Sequence, residues 1–153
     1  MEFLYELLNE SLVRSDLKSA SKSDVIDELA EILVSNEIIK DKVSLMDKLV
    51  EREKIETTGV GHGIAIPHAR TETVNGLALC FGVSREGIDY DALDGKPVNI
   101  FFLIVSNEEN KNRYIQLLAR ISRICRKDSF REKIMNSETE KEIISIFREE
   151  EKF

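Results

Sequence analysis

The sequence predicts an α/β fold, a β-sheet sandwiched between helical layers, in a single domain over residues 1–153. Three observations carry this. Apolar residues recur at helical spacing near both ends of the chain, whereas the middle holds two near-continuous apolar runs. Such runs suit strands covered on both faces. The 153 residues are 42% hydrophobic and 33% charged, the balance of a globular chain with a genuine core.

In chain order, residues 3–13 mix apolar and acidic positions and predict a short helical turn leading into a strand at Leu12-Val13. Ser21 with Asp24 three residues later reads as a capping box, and Val25, Ile26, Leu29, Ile32 and Leu33 fall on one helical stripe. Ser44 with Asp47 repeats the signal ahead of Leu45, Met46, Leu49 and Val50, predicting a helix over 44–54. Ile64-Ala65-Ile66 is a short strand. Leu77–Val83 and Val98–Val105 are the long ones, with Asp94-Gly95-Lys96-Pro97 turning into the second. From Lys111 the period becomes helical through Tyr114, Leu117, Leu118, Ile121, Ile124 and Cys125. A last helix starts near Glu138 and buries Ile143, Ile144 and Phe147. Strand direction is not legible in this pattern, and no linker, repeat or low-complexity tract interrupts it.

The chain's chemistry concentrates in Thr57-Thr58-Gly59-Val60-Gly61-His62-Gly63-Ile64-Ala65-Ile66-Pro67-His68-Ala69-Arg70. Three of the seven glycines, one of the two prolines and both histidines fall there. Glycines at 59, 61 and 63 permit positive φ and leave N–H groups uncovered, which suits an anion-binding concavity. Pro67 extends the residue before it and restricts the direction in which the chain continues. His68, at the end of an apolar strand, is a candidate nucleophile or base.

Composition excludes several classes. A net charge of −7 argues against binding the phosphate backbone of nucleic acid, which needs clustered Lys and Arg. No apolar run approaches the ~20 residues that span a bilayer. The start, Met1-Glu2-Phe3-Leu4-Tyr5-Glu6, lacks the basic and apolar regions of a signal peptide, so a cytoplasmic location is expected. Cys80 and Cys125 lie in apolar patterns and read as free buried thiols. Two histidines without a companion Cys or carboxylate at ligand spacing predict no metal site.

The segment Thr-Thr-Gly-Val-Gly-His-Gly-Ile-Ala-Ile-Pro-His-Ala resembles the active-site signature of enzyme IIA proteins of the bacterial sugar phosphotransferase system. The resemblance is to the fructose/mannitol type, which includes the nitrogen-regulatory IIA proteins. Leu49–Lys54, Asp91–Val98 and Leu117–Arg120 extend the likeness over roughly residues 1–147. It implies a mixed sheet flanked by helices, a free-standing IIA protein and no cofactor. It also implies that His68 carries the phosphoryl group, received from the phosphocarrier protein HPr and passed to a cysteine of an enzyme IIB. Docking to a membrane IIC complex stays open, without insertion into the membrane.

Phosphoryl transfer needs an in-line nucleophile and neutralised oxygens. A neutral imidazole nitrogen serves, its other nitrogen donating to a carbonyl or carboxylate that the sequence does not identify. The N–H groups around Gly61 to Gly63, the side chain of His62 and the hydroxyls of Thr57 or Thr58 are the expected phosphate ligands. By spacing alone Arg52 is a solvated arginine in a last helical turn; by resemblance it approaches the phosphohistidine, where a guanidinium makes paired hydrogen bonds. Two positions depart from the family. Tyr114 stands where a second active-site histidine is common, and it donates one hydrogen bond without carrying positive charge; its alternative is a core aromatic. His62 replaces a residue more often Asn or Glu. Three functions therefore stand open: a sugar-route phosphocarrier, a regulatory module whose phosphorylation state selects partners, and a binding-only domain.

Overall fold

In the computed structural model, which describes residues 2–152, the long strands β5 (Leu77–Ile88) and β6 (Val98–Ser106) pair antiparallel. Around them the chain runs α1 (Leu4–Leu7), a 3-10 turn at Glu10–Leu12, β1 (Val13–Arg14), α2 (Lys22–Ser35) and α3 (Lys42–Ile55). β2 (Gly59–Gly61), β3 (Ile64–Ala65) and β4 (His68–Arg70) precede β5. After β6 come a 3-10 turn at Glu108–Asn110, α4 (Lys111–Cys125), α5 (Asp128–Asn136) and α6 (Glu140–Glu150). The sheet order is β1-β5-β6-β3-β2, and β4 also pairs with β6. β1 runs parallel to β5, while β3 and β4 run parallel to β6, so the sheet is mixed.

Two neighbouring residues of β5 show the sandwich. Successive strand side chains point to opposite faces. The thiol of Cys80 donates to the Leu29 carbonyl of α2 at 3.4 Å. Phe81, one residue on, meets Phe147 of α6 edge-on, with ring centroids 4.9 Å apart. Phe102, in register with Phe81, and Phe130 of α5 complete an aromatic cluster with Phe147 on that face. Burial pushes the Cys125 thiol up to about 12 and raises that of Cys80 as well, so both stay protonated and inert.

The caps follow the sequence with two changes. Ser21 caps α2, its hydroxyl accepting from the Asp24 N–H at 3.2 Å. α3 starts two residues before the Ser44 signal. Asp41 is its cap and accepts from the Ser44 N–H at 3.0 Å, which places Ser44 inside the first turn rather than ahead of it. α5, unpredicted, buries only Phe130 and Ile134, too few apolar residues to show a period. The last helix begins at Glu140, with Thr139 as its cap.

β3 and β4 are two pieces of one interrupted strand. Ile64 and Ala65 pair with Ile100 and Phe101, and His68 to Arg70 pair with Ile104 to Ser106. Between them lie Ile66 and Pro67, outside any strand. The Pro67 carbonyl still accepts from Ile104 at 3.1 Å, so the ladder resumes as soon as the missing proline N–H is passed. No helix among the described residues is long and apolar enough to cross a membrane.

Candidate functional site

The Pro67 interruption builds the site around His68. The carbonyl of Ile66 is left out of the ladder and turned towards the imidazole two residues on. His68 Nδ1 donates to it at 2.7 Å. That fixes the tautomer with the proton on Nδ1 and leaves Nε2 as a bare lone pair. Arg52, in the last turn of α3, donates from Nε to this Nε2 at 3.1 Å and from Nη1 to the Glu56 carbonyl at 2.8 Å. His68 thus presents an unprotonated, hydrogen-bonded nitrogen with a guanidinium directly against it.

His68 is in register with Ile104, which shares a sheet face with Phe102 and therefore faces α4 and α6. There Tyr114, in the first turn of α4, is buried with its ring centroid 5.7 Å from that of His68. Its hydroxyl makes no hydrogen bond among the described residues. Burial pushes this hydroxyl up to about 12 despite the pull of Arg52 and Arg70, so at neutral pH it is a neutral donor. Arg70, two residues along β4, pairs with Glu108 at 2.9 Å on the exposed rim.

Burial also holds the His68 imidazole below its ordinary value. The Arg52 charge adds to the fall, while the hydrogen bond to Ile66 and the Glu53 carboxylate oppose it. The ring is therefore neutral at pH 7, as a nucleophile requires.

Three expected residues, Arg52, His68 and Tyr114, come together. The rest do not. Ile64 pairs with Ile100 but His68 with Ile104, an offset of about 13 Å at the ordinary rise per strand residue. The turn before Ile64, with φ of +101° at Gly61, 56° at His62 and +74° at Gly63, lies further away still. Gly61, His62 and Gly63 line a separate cleft with Asp94, Lys96, Pro97 and Asn99. An extended chain carries neighbours in sequence apart in space, and this corrects the expectation that they share a pocket with His68. The two threonines differ: the Thr58 carbonyl accepts from the Ile66 N–H at 2.9 Å, close to His68, but both hydroxyls are engaged elsewhere. Thr57 Oγ1 donates to the Tyr90 carbonyl at 3.4 Å and accepts from Gly59. Thr58 is buried, and its hydroxyl donates to Glu53.

Glu53, Tyr90, Lys22 and Arg70 have no assigned role among the sequence expectations, and the expected carbonyl or carboxylate acceptor of the imidazole is the Ile66 carbonyl. Glu53 sits in Glu51-Arg52-Glu53-Lys54, an alternation that looks like a solvated helix end. The Ile66 carbonyl is main chain and carries no sequence signal beyond the proline after it. No group of three His, Cys, Asp or Glu able to hold a metal occurs among the described residues.

Comparison with known proteins agrees with this architecture. The fructose-specific EIIABC component of Bacillus subtilis is 34% identical over 147 residues, covering 96% of this chain. The chain spans 23% of that protein's length. The crystal structure of nitrogen regulatory protein IIA-Ntr from Neisseria meningitidis superposes with a TM-score of 0.87 at 29% identity, covering 94% of this chain and 98% of that one. The mannitol IIA chain of an Escherichia coli complex with phosphorylated enzyme IIB shares the fold, with a TM-score of 0.79 at 20% identity over 93% of this chain and 97% of its own. Residues 6–150 match the family model described as phosphoenolpyruvate-dependent sugar phosphotransferase system, EIIA 2, and with that match the chain belongs to the fructose/mannitol and nitrogen-regulatory branch of the enzyme IIA proteins.

Proposed function

We propose that the chain is a phosphoryl carrier that accepts the group on His68 Nε2 from phospho-HPr and hands it to the cysteine of an enzyme IIB. The carrying observation is the imidazole itself: Nδ1 tied to a main-chain carbonyl, Nε2 unprotonated and facing Arg52. In the forward step the Nε2 lone pair forms the new N–P bond while the donor's bond to phosphorus breaks. The ring keeps its Nδ1 proton and becomes a cation that the Ile66 carbonyl stabilises. The Arg52 Nε–H, displaced from Nε2, turns to a phosphoryl oxygen, and the Tyr114 hydroxyl donates to another. Transfer onwards reverses these moves: the thiolate attacks phosphorus and the ring leaves as neutral imidazole, with no proton to find. Positioning and charge neutralisation supply the catalysis that such loose transition states need.

The acceptor reading draws on the mannitol IIA chain, solved in complex with phosphorylated IIB. A second reading, a regulatory module whose phosphorylation state selects its partners, is favoured by the likeness to the nitrogen regulatory protein. The chemistry at His68 is common to both. Incubation with phosphoenolpyruvate, enzyme I and HPr should add one acid-labile phosphoryl group, about 80 Da by intact mass. His68→Ala should abolish it and His62→Ala should leave it. An adduct that survives His68→Ala but not His62→Ala overturns the assignment. Onward transfer to a IIB cysteine separates the transport reading from the regulatory one.

A further inference from the structure

The last turn of α3 poses a mechanical problem. The buried residues of the helix are Leu45 and Leu49; from Val50 onwards no apolar side chain is buried, and Ile55 is 80% exposed. Helix ends without packed apolar residues fray. Yet Arg52, in that turn, must hold one nitrogen against His68. Glu53 is what holds the turn. Its side chain is 8% exposed, and four donors converge on its carboxylate. Oε2 accepts from the Thr58 N–H at 3.2 Å and pairs with Lys22 Nζ at 3.0 Å. Oε1 accepts from the Tyr90 hydroxyl at 3.1 Å and from the Thr58 hydroxyl. Lys22 is itself seated over the Tyr90 ring, 4.7 Å from its centre. The donors come from α2, from the start of the segment leading into β2, and from the loop after β5, so the carboxylate ties three separate elements to one helical turn.

We propose that Glu53 is a positioning residue for phosphoryl transfer, acting through Arg52: the carboxylate, locked by Lys22, Thr58 and Tyr90, fixes the final turn of α3 so that the neighbouring guanidinium meets His68 Nε2. Glu53 does not touch the reacting atoms. Its bonds occupy the hydroxyls of both Thr58 and Tyr90. The inference rests on His68 as the carrier, and its test separates the two claims.

The test is a double-mutant cycle on the rate of phosphorylation by phospho-HPr, with Glu53→Gln, Arg52→Lys and the pair. Loss of one hydrogen bond to a charged group costs about tenfold in rate for each single variant. If Glu53 acts through Arg52, the pair is also slowed about tenfold, because the second change removes what the first has already misplaced. A pair slowed by the product of the singles, or a Glu53→Gln protein at the wild-type rate, overturns the proposal. The second readout needs no phosphate: hydrogen exchange of the Arg52 Nε–H by NMR, slow in wild type and fast in Glu53→Gln. Unchanged protection in Glu53→Gln also overturns it. Should wild type take no phosphoryl group, the carrier reading fails, while the exchange measurement still decides whether Glu53 aims Arg52. Should Glu53→Gln not fold, Tyr90→Phe removes one of the four donors and keeps the ring; it should lose part of that protection, and wild-type protection there counts against the proposal.

Discussion

Tyr114→Phe isolates the one polar group that this chain places where the family resemblance leads one to expect a second histidine. The substitution deletes a single oxygen. The ring stays 5.7 Å from His68 and buried against β6, so folding stability should hold. In the resting protein the hydroxyl has no partner to lose among the described residues. Its worth appears only when charge arrives. A hydrogen bond to a charged acceptor contributes about 1.5–3 kcal/mol. At about 1.4 kcal/mol per tenfold, transfer should slow some ten- to hundredfold if the bond is made in the transition state. Because burial keeps the hydroxyl protonated up to about 12, the wild-type rate should show no phenol titration in the ordinary working range. The assay is rapid-quench transfer from phospho-HPr at limiting enzyme, beside thermal unfolding of the same preparations. Tyr114→His should restore or exceed the wild-type rate. Equal rates for wild type and Tyr114→Phe would refute the argument and leave Tyr114 as a packing aromatic.

Three further outcomes follow from the geometry. Arg52→Lys keeps the charge but loses the fixed Nε donor, so transfer should slow about tenfold or more while stability, read by urea unfolding, changes by no more than about 0.5–1 kcal/mol. His68 is held below its ordinary value of 6.5, chiefly by burial, so the unfolded chain takes up that proton first as the pH falls. The associated stability is complete above about pH 6.5 and is lost as the pH drops towards the lowered value; wild type should lose more stability than His68→Gln between about pH 7 and pH 5. Phe147→Ala, which opens a hole against Phe81, Phe102 and Phe130, should cost about 3–5 kcal/mol by denaturant unfolding, without altering transfer per folded molecule.

Much of this was legible in the sequence, for reasons that differ by residue. The two long strands announced themselves because burial on both faces leaves no polar position to break the run. His68 was legible because a proline before it and an apolar triplet before that leave few conformations. Arg52 was placed by resemblance, and the 3.1 Å contact to Nε2 now supports it. The hidden parts share one cause, that sequence proximity is a poor guide to space. Gly61 to Gly63 sit five to seven positions before His68, and extended backbone takes them beyond reach. Glu53, adjacent to Arg52, looks solvated until Tyr90 and Lys22 arrive from far along the chain. β4 is three residues long and shows no alternation of its own. Asp41 and Ser44 are both good caps, and only the observed φ and ψ decide between them.

The bond from His68 Nδ1 to the carbonyl of Ile66 has a consequence for inheritance. A side-chain partner, such as a carboxylate, can be deleted by one nucleotide change. A main-chain carbonyl cannot, since every residue brings one. Position 66 is thus free to drift among apolar residues that fill its buried site, while the imidazole keeps its orientation and its tautomer. The vulnerable position is the next one. Replacing Pro67 would supply an N–H on the β6 side of the strand and remove the restraint that the proline ring places on the backbone at Ile66. The ring's protonation pattern is therefore encoded in the main chain at Ile66 and Pro67, and a change at position 67 disturbs it where one at position 66 does not.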